Sequence, residues 1–238
     1  MKYMTKQWYM DMQRETLLPY DLQVDPCAEQ LSENVFRKRY AQKKAEWLAM
    51  RAELMEDWGE PFDSQKEAIW FTQNYRRQKH RLLSDLPQEI LNKVADVRVF
   101  TLGYCTESVY ALCKSFLEEN RRAYRSVLQA YDDYAKRELK DIPFIYANFH
   151  DGVVKSLRRK GNALVLKFDD PERALSHNCI VFQNAAVLQQ DGRLCGSDWL
   201  YNELYKNAYG YEIHVLLWRK GKLIDFVVQC SDIATKNL

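Results

Sequence analysis

The segment Ser197–Trp218, SDWLYNELYKNAYGYEIHVLLW, combines a dense aromatic and carboxylate content with a change of period. Before Gly210, Leu200 and Leu204 are four residues apart, a spacing that makes side chains neighbours on a helix. After Gly210 the apolar residues alternate with other residues, as they do on a strand. The segment therefore predicts a short helix over residues 198–206 that is followed by a strand.

The same segment contains the candidate site, because three of its ionisable residues have apolar and aromatic neighbours. A carboxylate in such surroundings must find a hydrogen-bond partner or shift its pKa. Either Glu203 binds a backbone N–H group while Glu212 and His214 line a solvent-facing strip, or the three form a functional site. With two nearby tyrosines they define a predicted binding groove: Tyr201, Glu203, Tyr205, Glu212 and His214.

Composition narrows the possible classes of protein. The 238 residues carry a net charge of +2, so no global field requires a nucleic acid or an anionic membrane as partner. No uncharged run approaches the length of a membrane span, and charged residues interrupt the N-terminus where a signal peptide would be apolar. The six cysteines are scattered without metal-binding spacing, which favours free thiols. We expect a soluble, cytoplasmic protein.

The distribution of glycine divides the chain. Gly59 and Gly103 are the only glycines before residue 143, and the other six follow it. Helical periodicity and capping residues dominate residues 1–142, which we predict to be a helical domain. Its longest helix is predicted to begin at the cap residue Thr106 and to continue to near Lys140.

Residues 143–238 have the pattern of a second domain, a mostly antiparallel β-sheet that includes the helix over 198–206. Short turns such as Asp191-Gly192 separate strand-like runs, and Asp-Gly provides the positive φ of hairpin turns. The runs are FIYANF, VVKSLRR, ALVLKF, CIVFQNAAVL, YEIHVLLW and KLIDFVVQC. No flexible linker separates the halves. The predicted class is α+β, with a helical N-terminal half packed against the sheet.

Local motifs of known chemistry are absent from the sequence, which contains no Walker loop, GxGxxG, HExxH or GxSxG. We therefore predict no cofactor, no metal site and no catalytic residue. An acidic group, Asp169, Asp170 and Glu172, is a weaker candidate for binding a divalent cation.

Two basic clusters, residues 37–44 and 76–81, allow a different interpretation. If they formed one continuous patch, they could grip the phosphates of an RNA. Carboxylates lie nearby in the sequence, however, and favour a solvated face of ion pairs. We therefore consider nucleic acid an unlikely partner.

Several strings resemble an uncharacterised family of bacterial cytosolic proteins, the domain of unknown function DUF4085. They are KYMTK at 2–6, the DVR to LGY segment at 96–104, WLYNELY at 199–205 and YEIHVLL at 211–217. The resemblance spans nearly the whole chain. It implies a bacterial origin and supports the boundary near residue 143, and it brings no activity or catalytic residues with it.

The leading hypothesis is a non-enzymatic module that binds a protein or peptide in the tyrosine-rich groove, since a tyrosine ring packs while its hydroxyl remains hydrogen-bonded. The first alternative is a hydrolase or metal-dependent enzyme with its site around Glu203, Glu212 and His214. The second alternative is RNA binding through the basic clusters. The enzyme hypothesis requires the three side chains to converge, whereas the module hypothesis expects them to diverge or Glu203 to bind backbone.

Overall fold

The computed structural model describes residues 1–19, 21–169 and 175–237 and confirms the α+β class. The chain forms two compact units. One contains residues 11–122, and the other combines residues 1–10 with residues 123–238. The chain thus passes between the units after residue 10 and after residue 122, whereas the sequence predicts one boundary near residue 143. The first ten residues and the second half of the longest helix belong to the sheet-containing unit.

The unit of residues 11–122 is built from helices. Its α-helices are α1 (Lys6–Met12, which begins in the other unit), α2 (Glu33–Trp58), α3 (Ser64–Asp85), α4 (Gln88–Leu91), α5 (Val97–Thr101) and the first part of α6 (Glu107–Glu138). Short 3-10 helices cover Gln13–Leu17 and Pro26–Glu29, and β1 (Gln23–Val24) pairs in parallel with β2 (Tyr104–Cys105). The predicted longest helix is confirmed as α6.

Helices α2 and α3 form a hairpin around Gly59, which takes the left-handed conformation at the C-cap of α2. Asp63 caps α3 by accepting from two backbone N–H groups. Between the helices, Arg51 forms a bidentate ion pair with Glu67. None of the residues of α2 is buried, so α2 and α3 are held together largely by partly exposed aromatic and ionic contacts.

The other unit contains an eight-stranded antiparallel sheet. Its strands are β3 (Val153–Lys160), β4 (Ala163–Asp169), β5 (Cys179–Gln183), β6 (Ala186–Gln190), β7 (Asp198–Asn207), β8 (Gly210–Arg219), β9 (Lys222–Cys230) and β10 (Asp232–Lys236). They lie in the order β10-β5-β4-β3-β7-β8-β9-β6. A 3-10 helix, Pro143–Tyr146, precedes them.

This sheet curls around its core. β5 and β6 are separated by two residues in the chain, and β9 and β10 by one, yet the members of each pair lie towards opposite ends of the strand order. The two ends must therefore come close together. Side chains from every strand of this sheet except β6 meet in one apolar cluster, which includes Phe182, Leu204, Ile213 and Phe226, all fully buried.

The prediction of a helix over residues 198–206 is wrong, because this stretch is strand β7. A separation of four residues is a multiple of both the strand period and, approximately, the helical period, so Leu200 and Leu204 fit either structure. A β-bulge between Trp199 and Tyr201 also interrupts the alternation. The core residues Trp199 and Leu204 are therefore five positions apart, a spacing that neither regular structure predicts.

Two other strand predictions need correction. The first three residues of the run FIYANF, at 144–149, belong to a 3-10 helix, Pro143–Tyr146, and the last three lie in neither helix nor strand. The run CIVFQNAAVL is divided between β5 and β6, because Asn184 between them has a positive φ of 49°. β10 was not predicted. Of the proposed acidic cation site, Asp170 and Glu172 lie outside the described residues.

Gly210 provides a test of the β7–β8 hairpin. Its φ is +124°, and an added Cβ would lie 2.6 Å from the carbonyl oxygen of Cys230, a backbone atom that cannot rotate away. We expect Gly210→Ala to lower the free energy of unfolding by about 3 kcal/mol in urea denaturation.

Gly161→Ala is the matched control. Gly161 also has a positive φ, +59°, but a Cβ there would meet no atom within 4 Å. Its cost should be about 1 kcal/mol, from backbone strain alone. Equal costs at the two positions would contradict the close approach at Gly210.

Candidate functional site

The β7–β8 register places the predicted groove residues on one face of the hairpin. Glu203 lies opposite His214, and Tyr205 lies opposite Glu212. Tyr201 is two residues before Glu203, so its side chain leaves the strand on the same side. The opposite face, with Leu204 and Ile213, points into the core.

Glu203 is the centre of this face and is completely buried. Its carboxylate accepts hydrogen bonds from three consecutive backbone N–H groups, those of Lys2 at 2.7 Å, Tyr3 at 3.0 Å and Met4 at 2.5 Å. The hydroxyl of Tyr205 donates a fourth bond to it. Each carboxylate oxygen thus receives two donors, which offsets the cost of removing the charge from water. We call Glu203 with residues 2–4 and Tyr205 the Glu203 site.

Aromatic side chains form the walls of the Glu203 site. The ring of Tyr3 lies 5.6 Å from that of Tyr131 and 6.4 Å from that of Tyr134, which are three residues apart on α6. Tyr134 in turn lies 5.6 Å from Tyr205. The ammonium group of Lys2 lies 4.6 Å from the centre of the Tyr205 ring, a cation–π contact.

Tyr131 also provides a hydrogen-bond acceptor for a backbone N–H group at the edge of β7. Among the described residues, β7 pairs with β3 at one position, Val153 with Asp198, so its later backbone groups on this side have no neighbouring strand. The backbone N–H of Leu204 donates instead to the Tyr131 hydroxyl at 2.7 Å. A helix side chain thereby covers a strand edge that would otherwise be open to pairing. Burial raises the pKa of Tyr131 well above its usual value.

His214 and Glu212 form a separate contact beside the Glu203 site. The His214 Nε2 atom lies 2.5 Å from a Glu212 carboxylate oxygen, and Nδ1 lies 2.8 Å from the amino group of Met1. The His214 and Tyr205 rings lie 5.3 Å apart and nearly perpendicular to each other. His214 therefore bonds to Glu212, while Glu203 is committed to the backbone of residues 2–4.

Tyr201 lies in a different aromatic group on the same face. Its ring lies 5.0 Å from that of Trp8, nearly perpendicular to it, and also contacts the rings of Tyr9 and His150. The Trp8 indole N–H donates to the backbone oxygen of Tyr124. Tyr201 thus packs residues of α1 onto β7 and does not contribute to the hydrogen bonds of Glu203 described above.

Sequence reasoning missed residues 2–4, which supply three of the four donors to Glu203. These donors are backbone groups about two hundred positions from Glu203, so no side-chain pattern marks them. The sequence does indicate that a carboxylate in an apolar segment needs N–H partners. The observed bonds from residues 2–4 to Glu203 agree with that expectation.

The two basic clusters lie on α2 and α3. In the first, Arg37, Arg39 and Lys43 form ion pairs with the carboxylates of Glu33, Asp25 and Glu46 respectively. In the second, Arg81 donates to the hydroxyl of Thr16. Nearby carboxylates therefore take up much of the charge of the first cluster.

A family model described as "Protein of unknown function (DUF4085)" matches residues 36–220. The chain belongs to the DUF4085 family. This confirms the resemblance drawn from the sequence, and the matched range contains all five groove residues but not residues 2–4 of the Glu203 site. No curated protein and no solved structure matches the chain.

Within residues 1–19, 21–169 and 175–237, no group of three or more His, Cys, Asp or Glu side chains is arranged to hold a metal ion. No helix there has both the length and the apolar character that crossing a membrane would require.

The buried carboxylate should be important for stability. In Glu203→Gln, one oxygen becomes an NH₂ group that faces N–H donors, so at least one backbone donor is left unpaired. We expect a loss of about 2–4 kcal/mol in the free energy of unfolding, measured by urea denaturation. Glu138→Gln is the control, because that carboxylate is half exposed and pairs with its neighbour Arg137. A loss as small as that of the control would contradict the role assigned to Glu203.

The raised pKa of Tyr205 predicts that the stability of the fold decreases at alkaline pH. Burial, and then the hydrogen bond to Glu203, raises the pKa of Tyr205 far above its usual value. A raised folded-state pKa means that this stabilisation is complete below a pH of about 10, the usual tyrosine pKa, and is lost as the pH rises above it. Above that pH, Tm should fall less steeply in Tyr205→Phe than in the wild type.

Tyr209→Phe is the matched control for this measurement, because Tyr209 is 75% exposed. It should retain the wild-type dependence of Tm on pH. The interpretation fails if Tyr205→Phe and Tyr209→Phe give the same slope.

Proposed function

We propose that the chain is a non-catalytic, peptide-binding module and that the Glu203 site is where it binds. In this proposal residues 1–4 act as an intramolecular ligand of Glu203 and Tyr205, and a partner peptide takes their place. The observation that carries the proposal is the set of three consecutive backbone N–H groups donating to one buried carboxylate. Contacts to backbone groups provide affinity for a segment whatever its sequence, and the surrounding side chains provide the selectivity.

The contacts of residues 2–4 indicate the chemistry of a suitable partner. Lys2 places a cation over the Tyr205 ring, Tyr3 contacts the rings of Tyr131 and Tyr134, and Met4 is 4% exposed. The preferred segment is therefore basic, then aromatic, then apolar and unbranched. A methionine suits such a pocket because its flexible thioether adapts to irregular surfaces.

The donors to Glu203 support a binding role over a catalytic one. A carboxylate offers about four lone-pair positions. Two backbone N–H groups donate to Oε1, and one backbone N–H group and the Tyr205 hydroxyl donate to Oε2. A general base needs a free lone pair, so Glu203 is arranged to hold donors rather than to accept a proton from a substrate.

Competition between the chain's own segment and a partner is the physical basis of regulation in this proposal. A tethered segment has an effective concentration in the millimolar range, so a free peptide of equal affinity would bind only weakly. Any change that weakens the bonds of residues 2–4 should therefore strengthen binding of a free peptide.

The experiment measures binding of a fluorescent peptide with the sequence of residues 1–9, MKYMTKQWY, by fluorescence anisotropy. Met4→Pro removes one of the three N–H donors from the chain's own segment while leaving Glu203 intact. We expect Met4→Pro to bind the peptide about tenfold more tightly than the wild type, which corresponds to the loss of roughly one charged hydrogen bond.

Met4→Leu is the matched control, since it keeps the N–H group and an apolar side chain, and its affinity should equal that of the wild type. Adding Glu203→Gln to Met4→Pro should abolish the gain. The proposal is wrong if Met4→Pro, folded as judged by circular dichroism, binds the peptide no better than the wild type. It is also wrong if a scrambled peptide binds equally well.

A further inference from the structure

The α2–α3 hairpin of the helical unit is polarised in charge along its length. Its tip, residues 53–63, contains carboxylates but no lysine or arginine. The carboxylates are exposed, and none of them forms an ion pair within the described part of the chain: Glu53, Glu56, Asp57, Glu60 and Asp63. The tip therefore presents a negative surface that the described chain leaves without cations.

The C-terminal half of α3 carries the opposite charge. Arg76, Arg77 and Lys79 lie within about one helical turn, and His80 follows them. None of these four side chains forms an ion pair or a hydrogen bond with a described residue. The cluster at residues 37–44 differs, because carboxylates neutralise much of its charge. The unpaired charges of the hairpin are thus acidic at the tip and basic towards the end of α3.

Large apolar side chains are also exposed along this hairpin. They are Met50 and Trp58 on α2, Phe62 between the helices, and Ile69, Trp70 and Leu83 on α3. Ile69 is 59% exposed and Leu83 is 53% exposed. These two residues are fourteen positions apart, about four helical turns, so they lie on one face of α3 with Arg76 between them. Single exposed apolar residues are ordinary, but a series of them along one hairpin indicates a surface that binds a partner.

A second copy of the chain in antiparallel orientation fits this pattern. Ile69 lies about halfway between Glu60 and Lys79, roughly 15 Å from each along the hairpin at 1.5 Å per residue. A two-fold axis beside Ile69 would therefore place each acidic tip against the basic part of the other α3. The same rotation would bring Trp58 towards Leu83 of the second copy. Parallel packing would instead place like charges together, which is unfavourable.

We propose that the α2–α3 hairpin is a self-association surface through which two copies of the chain form an antiparallel, two-fold symmetric dimer. Ile69 packs against its own counterpart at the axis, and the tip of each copy faces Arg76 and Arg77 of the other. In such an isologous interface every contact away from the axis occurs twice. The surface lies within the unit of residues 11–122 and does not involve the Glu203 site.

Sedimentation equilibrium of the full-length chain is the first test. At about 100 μM protein and about 50 mM NaCl we expect twice the monomer mass. Raising NaCl to about 500 mM should increase the dissociation constant of the dimer by about fivefold, because salt screens the contacts between tip and base. A monomer at the lower salt concentration would overturn the proposal and leave this face to another partner. A dimer that is insensitive to salt would also contradict it.

An exchange of charges between two variants locates the interface. Asp57→Lys with Glu60→Lys reverses the tip, and Arg76→Glu with Arg77→Glu reverses the basic part of α3. All four side chains are exposed. Each double variant alone would place like charges at both contacts, so its dissociation constant should rise by at least about tenfold. An equimolar mixture of the two should form a heterodimer of nearly wild-type affinity, because both contacts are again attractive.

Lys114→Glu with Arg122→Glu is the matched control, since both residues are exposed on α6 and the change in net charge equals that of the Arg76 and Arg77 variant. It should dimerise like the wild type. The proposal is wrong if either reversed variant retains the wild-type affinity, or if the two variants, folded as judged by circular dichroism, do not associate when mixed.

Cysteine cross-linking tests the orientation of the two hairpins. In a Cys27→Ser background, which removes an exposed native thiol, Ile69→Cys should form an intermolecular disulfide on oxidation. Trp58→Cys should not, because the two tips lie at opposite ends of the dimer and a disulfide needs Cα atoms within about 7 Å. Cross-linking through position 58 and not through position 69 would show that the tips meet, which would overturn the antiparallel arrangement.

Discussion

A charged carboxylate that is removed completely from water determines much of the organisation of the sheet-containing unit. Four hydrogen-bond donors offset the cost of removing the Glu203 carboxylate from water, and three of them are backbone N–H groups of residues 2–4. A segment outside regular helix and strand, such as residues 2–4, has its N–H groups free for such bonds, whereas a helix would use all but its first few internally. The start of α1 at Lys6 is consistent with this requirement, since the donors lie before the first helical turn.

The two faces of the β7–β8 hairpin serve different purposes. One face contributes Leu204 and Ile213 to the apolar core, where burial of hydrocarbon supplies most of the stability. The other face carries polar and aromatic groups that bind residues 1–4 and contact Tyr131 and Tyr134. The bulge after Trp199 makes this division possible, because it changes which side chains point inwards partway along β7.

The helical unit is organised differently. None of the residues of α2 is buried, and its contacts to α3 are aromatic pairs such as Tyr40 with Phe71, together with the Arg51–Glu67 ion pair. A cavity of about 360 Å³ lies beside these aromatic contacts. The indole N–H of Trp47, one of the residues that line it, is buried and has no hydrogen-bond partner among the described residues.

The sequence by itself determined the elements whose signals are local. Glycine usage and helical periodicity located the helices, including α6, and the turn residues located the hairpins of β3–β4 and β8–β9. The need of Glu203 for N–H partners also follows from its neighbours alone. Local spacing could not distinguish strand from helix in β7, because positions four apart agree with both periods and a bulge hides the alternation. Only the tertiary structure decided that residues 2–4 supply the donors to Glu203, and that the Trp47 indole N–H lacks an acceptor among the described residues. Hydrogen bonds between distant segments depend on how the chain folds and leave no local pattern in the sequence.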